Sequence, residues 1–302
     1  MRNKLSNKKL ICIAGPTAIG KTGLSIQLAQ DLNSEVLSFD SRQFYKEMNI
    51  GTAKPDKDEM QGVYHHCIGH LSVNDYYNVS MYEQDAIKII ERAFEQNDYI
   101  VAVGGSGLYL DALCNGIDAL PDPDPQIRIE LKALFEQQGI EALQQKLKEL
   151  DPEYYSKVDL KNPKRLLRAL EVCIMTGETF TSQRTNNVKQ RPFDIVKICL
   201  NGDRDKLYEN INKRVDIMVD QGLIEEAKSL LIYRELNALN TVGYKEIFEY
   251  FDAKCSLDQA IVNIKTNSRR YAKRQVTWFK RDDSFQWFRP DEYKQIKEVI
   301  LK

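Results

Sequence analysis

The chain has 302 residues, with 43 Lys and Arg against 44 Asp and Glu, a formal net charge of −1, and 42% hydrophobic residues. This length allows one large domain or a core with a smaller companion, and the near-neutral balance excludes a strongly basic nucleic-acid-binding composition, so any RNA contact must come from local patches. No run approaches the roughly 20 apolar residues that cross a bilayer, and the polar start "MRNKLSNKK" lacks the apolar stretch of a signal peptide, which predicts a cytoplasmic protein with no membrane contact.

The first predicted strand is "KLICIA", from Lys9 to Ala14, followed by Gly15-Pro16-Thr17-Ala18-Ile19-Gly20-Lys21-Thr22 and then by "GLSIQLAQDL", where Leu24, Leu28 and Leu32 keep helical spacing. Strand, glycine-bearing loop and helix in this order form a phosphate-binding loop. Backbone N–H groups converge on an anion at the helix start, Lys21 reaches round the phosphates, and the Thr22 hydroxyl can hold Mg²⁺. The bland alternative is that the glycines only make a tight turn.

A second strand, "EVLSFD", leads to Asp40 and on into "SRQFYKEMNIGTAKP". Its carboxylate is expected at a strand's C-terminal end beside the phosphate loop, where open α/β sheets place ligand chemistry; capping a turn with Ser41 is the competing reading. "HHCIGH" crowds His65, His66, Cys67 and His70, but Gly69 interrupts any helix that would align His66 with His70, so packing or hydrogen bonding is favoured over a metal site. The cysteines at positions 12, 67, 114, 173, 199 and 255 stand singly, as reduced thiols do in the cytosol.

A third strand, "DYIVAVGG", ends in Gly104-Gly105-Ser106-Gly107. A nucleotide-hydrolysing P-loop protein carries its magnesium-binding Asp near such a strand end, and the chain has no N-K-x-D with which to read guanine. Whose phosphate the loop holds is therefore open at this point.

Residues 117–191 read as a mostly helical module inserted into a core made of 1–116 and 192–302. "PDPDP" stiffens its entry, and "QIRIELKALFEQQGIEALQQKLKEL" predicts two amphipathic segments separated by Gly139. Asn162 caps and Pro163 opens a further helix, closed by Gly177, with Lys164, Arg165 and Arg168 on one side while Leu166, Leu167 and Leu170 can face a core. Arg214, in "INKRVDIMVDQGLIEEAKSL", reads from its residues alone as a solvated helix charge. "NSRRYAKRQVTWFKR" sets Arg269, Arg270, Lys273, Arg274, Lys280 and Arg281 among Tyr271, Trp278 and Phe279; packing is favoured for Trp278 and Phe279.

In combination, "GPTAIGKT", "SFDSRQFYKEMNIGTAKP", "VGGSGLYL", "NPKRLLRALEV" and "RRYAKRQVTWFKR" resemble, in order and spacing, the tRNA dimethylallyltransferases, or isopentenyl-diphosphate:tRNA transferases, over nearly the whole chain. The resemblance implies an α/β fold: a P-loop NTPase-like, nucleotide-kinase-like core with a parallel sheet, a mostly helical inserted tRNA-binding domain and a helical C-terminal part. It implies that Gly15, Pro16, Thr17, Ala18, Ile19, Gly20, Lys21 and Thr22 bind the diphosphate of dimethylallyl diphosphate instead of ATP. With Mg²⁺ assisting, the dimethylallyl group would pass to N6 of the adenosine immediately 3′ of the anticodon in tRNAs reading U-initial codons.

Charge gathers on the departing diphosphate, so N–H donors, Lys21 and an arginine should stabilise it. The resemblance places a catalytic Thr at Thr17 and a catalytic Arg at Arg214. The attacking amine must lose a proton, and Asp40 is the candidate base. Ser106 stands where the family has Thr, and Arg128 matches a further position the family marks. For the anticodon stem-loop, the expected contacts are Asp40, Ser41, Arg42, Gln43, Lys164, Arg165, Leu166, Leu167, Arg168 and Arg274, with the target base flipped from its stack. A monomer is expected.

Two departures stand out. Tyr64 replaces the proline usual before the histidine pair, and the chain ends at Lys302 without the zinc finger of eukaryotic relatives, so the resemblance is to the bacterial type. The rival readings are a P-loop small-molecule or nucleotide kinase, which leaves the basic C-terminal segment unexplained, and a non-catalytic RNA-binding regulator with a vestigial loop, against which Lys21 and Asp40 both argue.

Overall fold

An unbroken apolar run from Lys9 to Ala14 forms the central strand β1 (Lys9–Ala14), bonded to a parallel neighbour on each side, as continuous apolar strands of parallel sheets are. The computed structural model describes residues 7–185 and 187–302; the first six positions of the polar start lie outside them. From β1 the chain continues through α1 (Lys21–Asp31), β2 (Val36–Ser38), β3 (His65–His66), α2 (Val79–Ala93), β4 (Tyr99–Val103) and α3 (Gly107–Asn115). Four helices follow: α4 (Pro125–Leu150), α5 (Pro152–Lys157), α6 (Pro163–Thr176) and α7 (Phe180–Gln183). The remainder comprises β5 (Asp194–Leu200), α8 (Arg204–Asp220), α9 (Leu223–Ser229), two short 3₁₀ turns at Leu231–Tyr233 and Asn237–Leu239, α10 (Tyr244–Phe251), α11 (Leu257–Phe279), β6 (Gln286–Phe288) and α12 (Tyr293–Leu301).

All six strands are parallel in the order β3-β2-β4-β1-β5-β6. Alternation along β1 sends Leu10, Cys12 and Ala14 into one apolar cluster with Leu37, Phe39 and Ala102, and Ile11 and Ile13 into a second with Val36, Val101 and Ile198. Helices cover both clusters, so both faces of the sheet are closed. The strand ends at residues 14, 38 and 103 then open on one edge, and each feeds a loop carrying predicted site residues. All six cysteines are free thiols.

The chain divides into two compact units, one built from the chain up to Asn115 together with Gln190–Lys302, the other from Gly116–Lys189. In the second, α4 breaks at Gly139 (φ 79°, ψ −174°), which separates its two amphipathic segments. Asn162 accepts from the Arg165 N–H at the start of α6, Pro163 occupies its first turn, and Gly177 closes it with φ 71°. Leu131, Leu143, Leu147, Leu166 and Leu170 form this unit's core. Leu166, expected above to contact RNA, is completely buried there and has no surface to offer; Leu167 packs against the same cluster. Lys164 and Arg165 are exposed on the other side of α6.

Two polar groups hold this small core. Glu171, 1% exposed, takes a bidentate pair from Arg128 at 2.6 and 3.0 Å, while Arg168 donates to Glu171 at 3.5 Å and to the Pro121 carbonyl at 2.7 Å. Asp151, fully buried, caps α5 through the Tyr154 N–H and also accepts the Thr181 N–H and hydroxyl. Removing that carboxylate orphans a cap and a buried N–H together. We predict that Asp151→Ala destabilises the second unit by about 2–3 kcal/mol, read by denaturant melts; a loss under about 0.5 kcal/mol would refute its bracing role.

Candidate active site

The loop after β1 leads into a helix start that no side chain caps: α1 follows Gly20, whose φ of 100° suits a residue without Cβ. The uncapped N–H groups of its first turn, with the positive end of the helix dipole, are open to an anion. Lys21 folds back, donating to the Pro16 carbonyl at 2.8 Å, and Thr22 is exposed at the cleft. Thr17 is gripped from outside the loop: its N–H donates to Gln275 Oε1 on α11 at 2.9 Å, and Gln275 Nε2 donates to the Gly105 carbonyl at 3.0 Å. A Cβ on Gly105 would stand 2.1 Å from that nitrogen, so the bridge requires glycine there.

Arg214 comes to the same loop from α8, which Leu207, Ile211 and Val215 anchor in the core. Its Nη1 lies 3.4 Å from the Thr17 hydroxyl oxygen. The residue read from local pattern as a solvated charge is therefore turned toward the phosphate loop, because it stands three residues after buried Ile211 and seven after buried Leu207 on one face of α8.

The loop after β2 supplies the opposite wall. Asp40 makes the turn that its residue type suggested, accepting the Arg42 N–H at 3.1 Å, and it also borders the cleft. Ser41 donates its N–H to Ser106 Oγ at 3.1 Å, with the two hydroxyls 3.0 Å apart, which ties the β2 and β4 loops together. Arg42 differs from expectation: its guanidinium donates to the carbonyls of Asn237, Ala238 and Asn240 at 2.7, 3.0 and 3.4 Å, so it braces a neighbouring turn. Gln43 donates from Nε2 to the carbonyls of Thr52 and Ala53 at 3.2 and 3.0 Å.

Together these walls bound a cleft of about 710 Å³ that gathers Lys21, Asp40, Gln43, Arg214, Tyr271 and Arg274 from four distant stretches. Burial dominates the electrostatics. It lowers the Lys21 ammonium to about 8, with Asp40 opposing and Arg214 adding to the drop. It raises the Asp40 carboxyl above the usual carboxylate range against the pull of the Arg42 N–H, Lys21, Arg42 and Arg214, and it lowers Arg214 against Glu59 and Asp40. Tyr271 is likewise pushed up to about 12 by burial and then by Asp40. Two cations facing one carboxylate leave a positive site able to take an anion, next to a carboxylate of raised basicity.

Ser106 reaches this site through Ser41, whereas Arg128, Lys164, Arg165 and Arg168 belong to the second unit. β4 leads into glycines with no carboxylate at its end; the first acidic residue beyond, Asp111, accepts the Trp278 indole N–H at 3.0 Å. Phe279 is buried. His66 pairs with Glu35 at 2.7 Å and His65 Nδ1 with the Val63 carbonyl at 2.9 Å; among the described residues no group of three or more His, Cys, Asp or Glu could hold a metal ion. Reading the sequence missed Gln275. It lies within the quoted "YAKRQ", but a glutamine inside a helix carries no chemical sign of a bridging task.

A family model described as IPP transferase matches residues 43–282. The chain is 53% identical over 283 residues to the tRNA dimethylallyltransferase of Christiangramia forsetii, covering 94% of each. To tRNA dimethylallyltransferase 1 of Bacteroides fragilis it is 49% identical over 296 residues, covering 98% of each. Among solved structures it is similar to the full-length tRNA isopentenylpyrophosphate transferase of Bacillus halodurans, with a TM-score of 0.71 and 39% identity over 97% of this chain and 94% of that one. It is also similar to a eukaryotic dimethylallyltransferase acting on tRNA, with a TM-score of 0.73 and 30% identity over 90% of this chain and 69% of that one.

Lys21 carries its charge below about 8 and loses it above, so its attraction for an anion is complete at neutral pH and fades on the alkaline side. We predict that the affinity for inorganic pyrophosphate, taken relative to Lys21→Met so that the ligand's own ionisation cancels, falls about tenfold between pH 7 and pH 9.5, measured by calorimetry. An unchanged relative affinity across that range would take Lys21 out of the anion site.

Proposed function

The chain belongs to the IPP transferase family, and from that premise we propose that it transfers the dimethylallyl group of dimethylallyl diphosphate to N6 of the adenosine 3′-adjacent to the anticodon of tRNA. One observation carries this reading: Thr17, Lys21 and Arg214 converge on the uncapped start of α1, while Asp40 faces the same cleft from the loop after β2. Leaving-group support and a base thus stand on separate loops around one cavity. A kinase reading is disfavoured by the glycines that end β4 where a metal-binding carboxylate would be needed.

In the proposed reaction the C1–O bond of the allylic diphosphate breaks as the N6–C1 bond forms, and the electron pair of the broken bond leaves with diphosphate. Lys21, Arg214, the loop N–H groups and the Thr17 hydroxyl, near the bridging oxygen, stabilise the growing negative charge. Asp40 orients the amine and takes its proton; its burial-raised basicity supports this part. Ser106 holds Ser41 and hence the Asp40 turn.

The donor set suits magnesium. A Thr22 hydroxyl at the cleft, with no cage of three or more acidic, His or Cys side chains among the described residues, matches an ion that keeps several waters and is bound largely through substrate phosphates. When bound there through Thr22 and the diphosphate, Mg²⁺ supplies further neutralisation of the leaving group.

For the RNA we assign Asp40, Ser41 and Gln43 at the cleft, Arg274 at its edge, and the exposed Lys164 and Arg165 of α6 in the second unit. The carbonyl bonds of Arg42 and the ion pairs of Arg128 and Arg168 with Glu171 support bracing parts for those three arginines. Exposed Arg270, Lys273, Arg274, Lys280 and Arg281 on and after α11 supply phosphate contacts.

The direct test supplies allyl-labelled dimethylallyl diphosphate, Mg²⁺ and an unmodified anticodon stem-loop, beside a parallel reaction with ATP. We expect label on adenine N6, and for Asp40→Ala a loss of about two orders of magnitude or more in kcat with stem-loop binding retained. ATP consumption without transfer would move the protein to the kinases, and unchanged turnover would remove Asp40 from the mechanism. Stem-loop affinity should also fall with salt by roughly 0.7–0.9 log units per log unit for each neutralised phosphate; a flat response would contradict the basic surface.

A further inference from the structure

Glu226, in the first turn of α9, takes part in none of the chemistry above, yet its carboxylate collects four hydrogen bonds at the edge of the cleft. Oε2 accepts from the N–H groups of Asn49 at 3.0 Å and Ile50 at 2.9 Å; Oε1 accepts from the Gly51 N–H at 2.9 Å and the Tyr244 hydroxyl at 2.6 Å. Three consecutive N–H groups and a phenol aimed at one carboxylate fill the roughly four lone-pair sites that such a group offers. A neutral amide could not replace it, since its NH₂ would face donors.

The site is built around that carboxylate. A Cβ at Gly51 would stand 2.6 Å from the Tyr244 ring, so only glycine lets the segment come close enough for Tyr244 and Glu226 to share the bond. Tyr244 is fully buried, and burial followed by the neighbouring Glu226 charge keeps its phenol protonated as a donor. Directly after the held segment come Thr52 and Ala53, whose carbonyls receive Gln43 Nε2. Both hydrogens of the Gln43 amide are thereby engaged, and Oε1 is the atom that Gln43 can offer to a ligand.

We propose that Glu226 is a positioning residue that sets the hydrogen-bonding sense of Gln43: by pinning residues 49–51 it places the Thr52 and Ala53 carbonyls so that Gln43 presents an acceptor to the cleft. This rests on the reading of the cleft as an RNA-base site. Asp40 and Gln43 then both offer acceptors, which complements a base edge bearing amino or imino hydrogens and disfavours one bearing a carbonyl at that place. Were the segment released, the Gln43 amide could rotate and present its NH₂, and discrimination would weaken while the phosphate loop stayed intact.

A double-mutant cycle on the full chain tests this, with Glu226→Gln and Gln43→Ala made singly and together and label transfer to the stem-loop followed by kcat and KM for both substrates. We expect Glu226→Gln to lower kcat/KM for the stem-loop about tenfold to a hundredfold, with KM for dimethylallyl diphosphate changed less than about twofold. In the Gln43→Ala background the same substitution should cost less than about threefold, because the residue it acts through is gone. Equal losses in both backgrounds, or a matching rise in the KM for the diphosphate, would overturn the proposal in favour of a general structural role. Melting curves accompany each variant; should Glu226→Gln not fold, Glu226→Asp, which keeps the charge and withdraws it by one methylene, goes through the same cycle under the same criteria. Absence of transfer by the unsubstituted protein would sink the reading of function itself, whereas additive losses in an active protein would sink only the part given to Glu226.

Discussion

One buried amide joins three walls of the cleft. Gln275, 5% exposed, accepts from Thr17 and donates to Gly105, so the loop after β1, the loop after β4 and helix α11 are held at a common point. Both ends of the amide are satisfied, which is the condition under which a buried polar group stabilises an arrangement instead of straining it. Because the Thr17 N–H is engaged, that residue faces the cleft through its hydroxyl, 3.4 Å from Arg214. Helix α11 thus sets the orientation of the loop after β1, 258 residues away in sequence.

The charges follow from that enclosure. Drawing Lys21, Arg214 and Asp40 into one desolvated space weakens the charged form of each, and the attraction of Asp40 for the two cations opposes that effect. An arriving anion relieves the excess of positive charge, so ligand and protein complete one another electrostatically. In the proposed reaction, keeping the carboxylate on the β2 loop and the cations at the β1 loop and on α8 separates the group that would take a proton from the groups that would steady a leaving anion. Such division of labour suits a transfer in which charge moves across the cavity. Ser41 and Ser106 tie the β2 loop to the β4 loop, which Gln275 in turn joins to the β1 loop.

Local patterns disclosed much of this. The apolar run of β1, the glycine-bearing loop and the leucine spacing of α1 are short-range features whose physics needs no distant partner, as are Asn162, Pro163 and Gly177 around α6. The contribution of Asp40 to a turn was readable for the same reason. The bracing of Arg42 was not readable, because nothing local to a guanidinium hints at the three carbonyls it meets on the 237–240 turn. The full burial of Leu166 was not readable from the motif, because a motif records which residues stand together without saying which of them face inward.

What the sequence by itself determined is the set of local elements, the glycine-bearing loop between β1 and α1 and the family, since each depends on neighbouring residues or on segments whose order along the chain is itself the information. Only the tertiary structure decided which side chains meet: Arg214 with Thr17, Gln275 with Thr17 and Gly105, Glu226 with residues 49–51. Those contacts bring together residues 170 or more positions apart, and no periodicity or propensity encodes such pairings. They arise when a parallel sheet closes both its faces with helices and delivers distant loops to one edge, where burial turns ordinary polar residues into partners that must find each other.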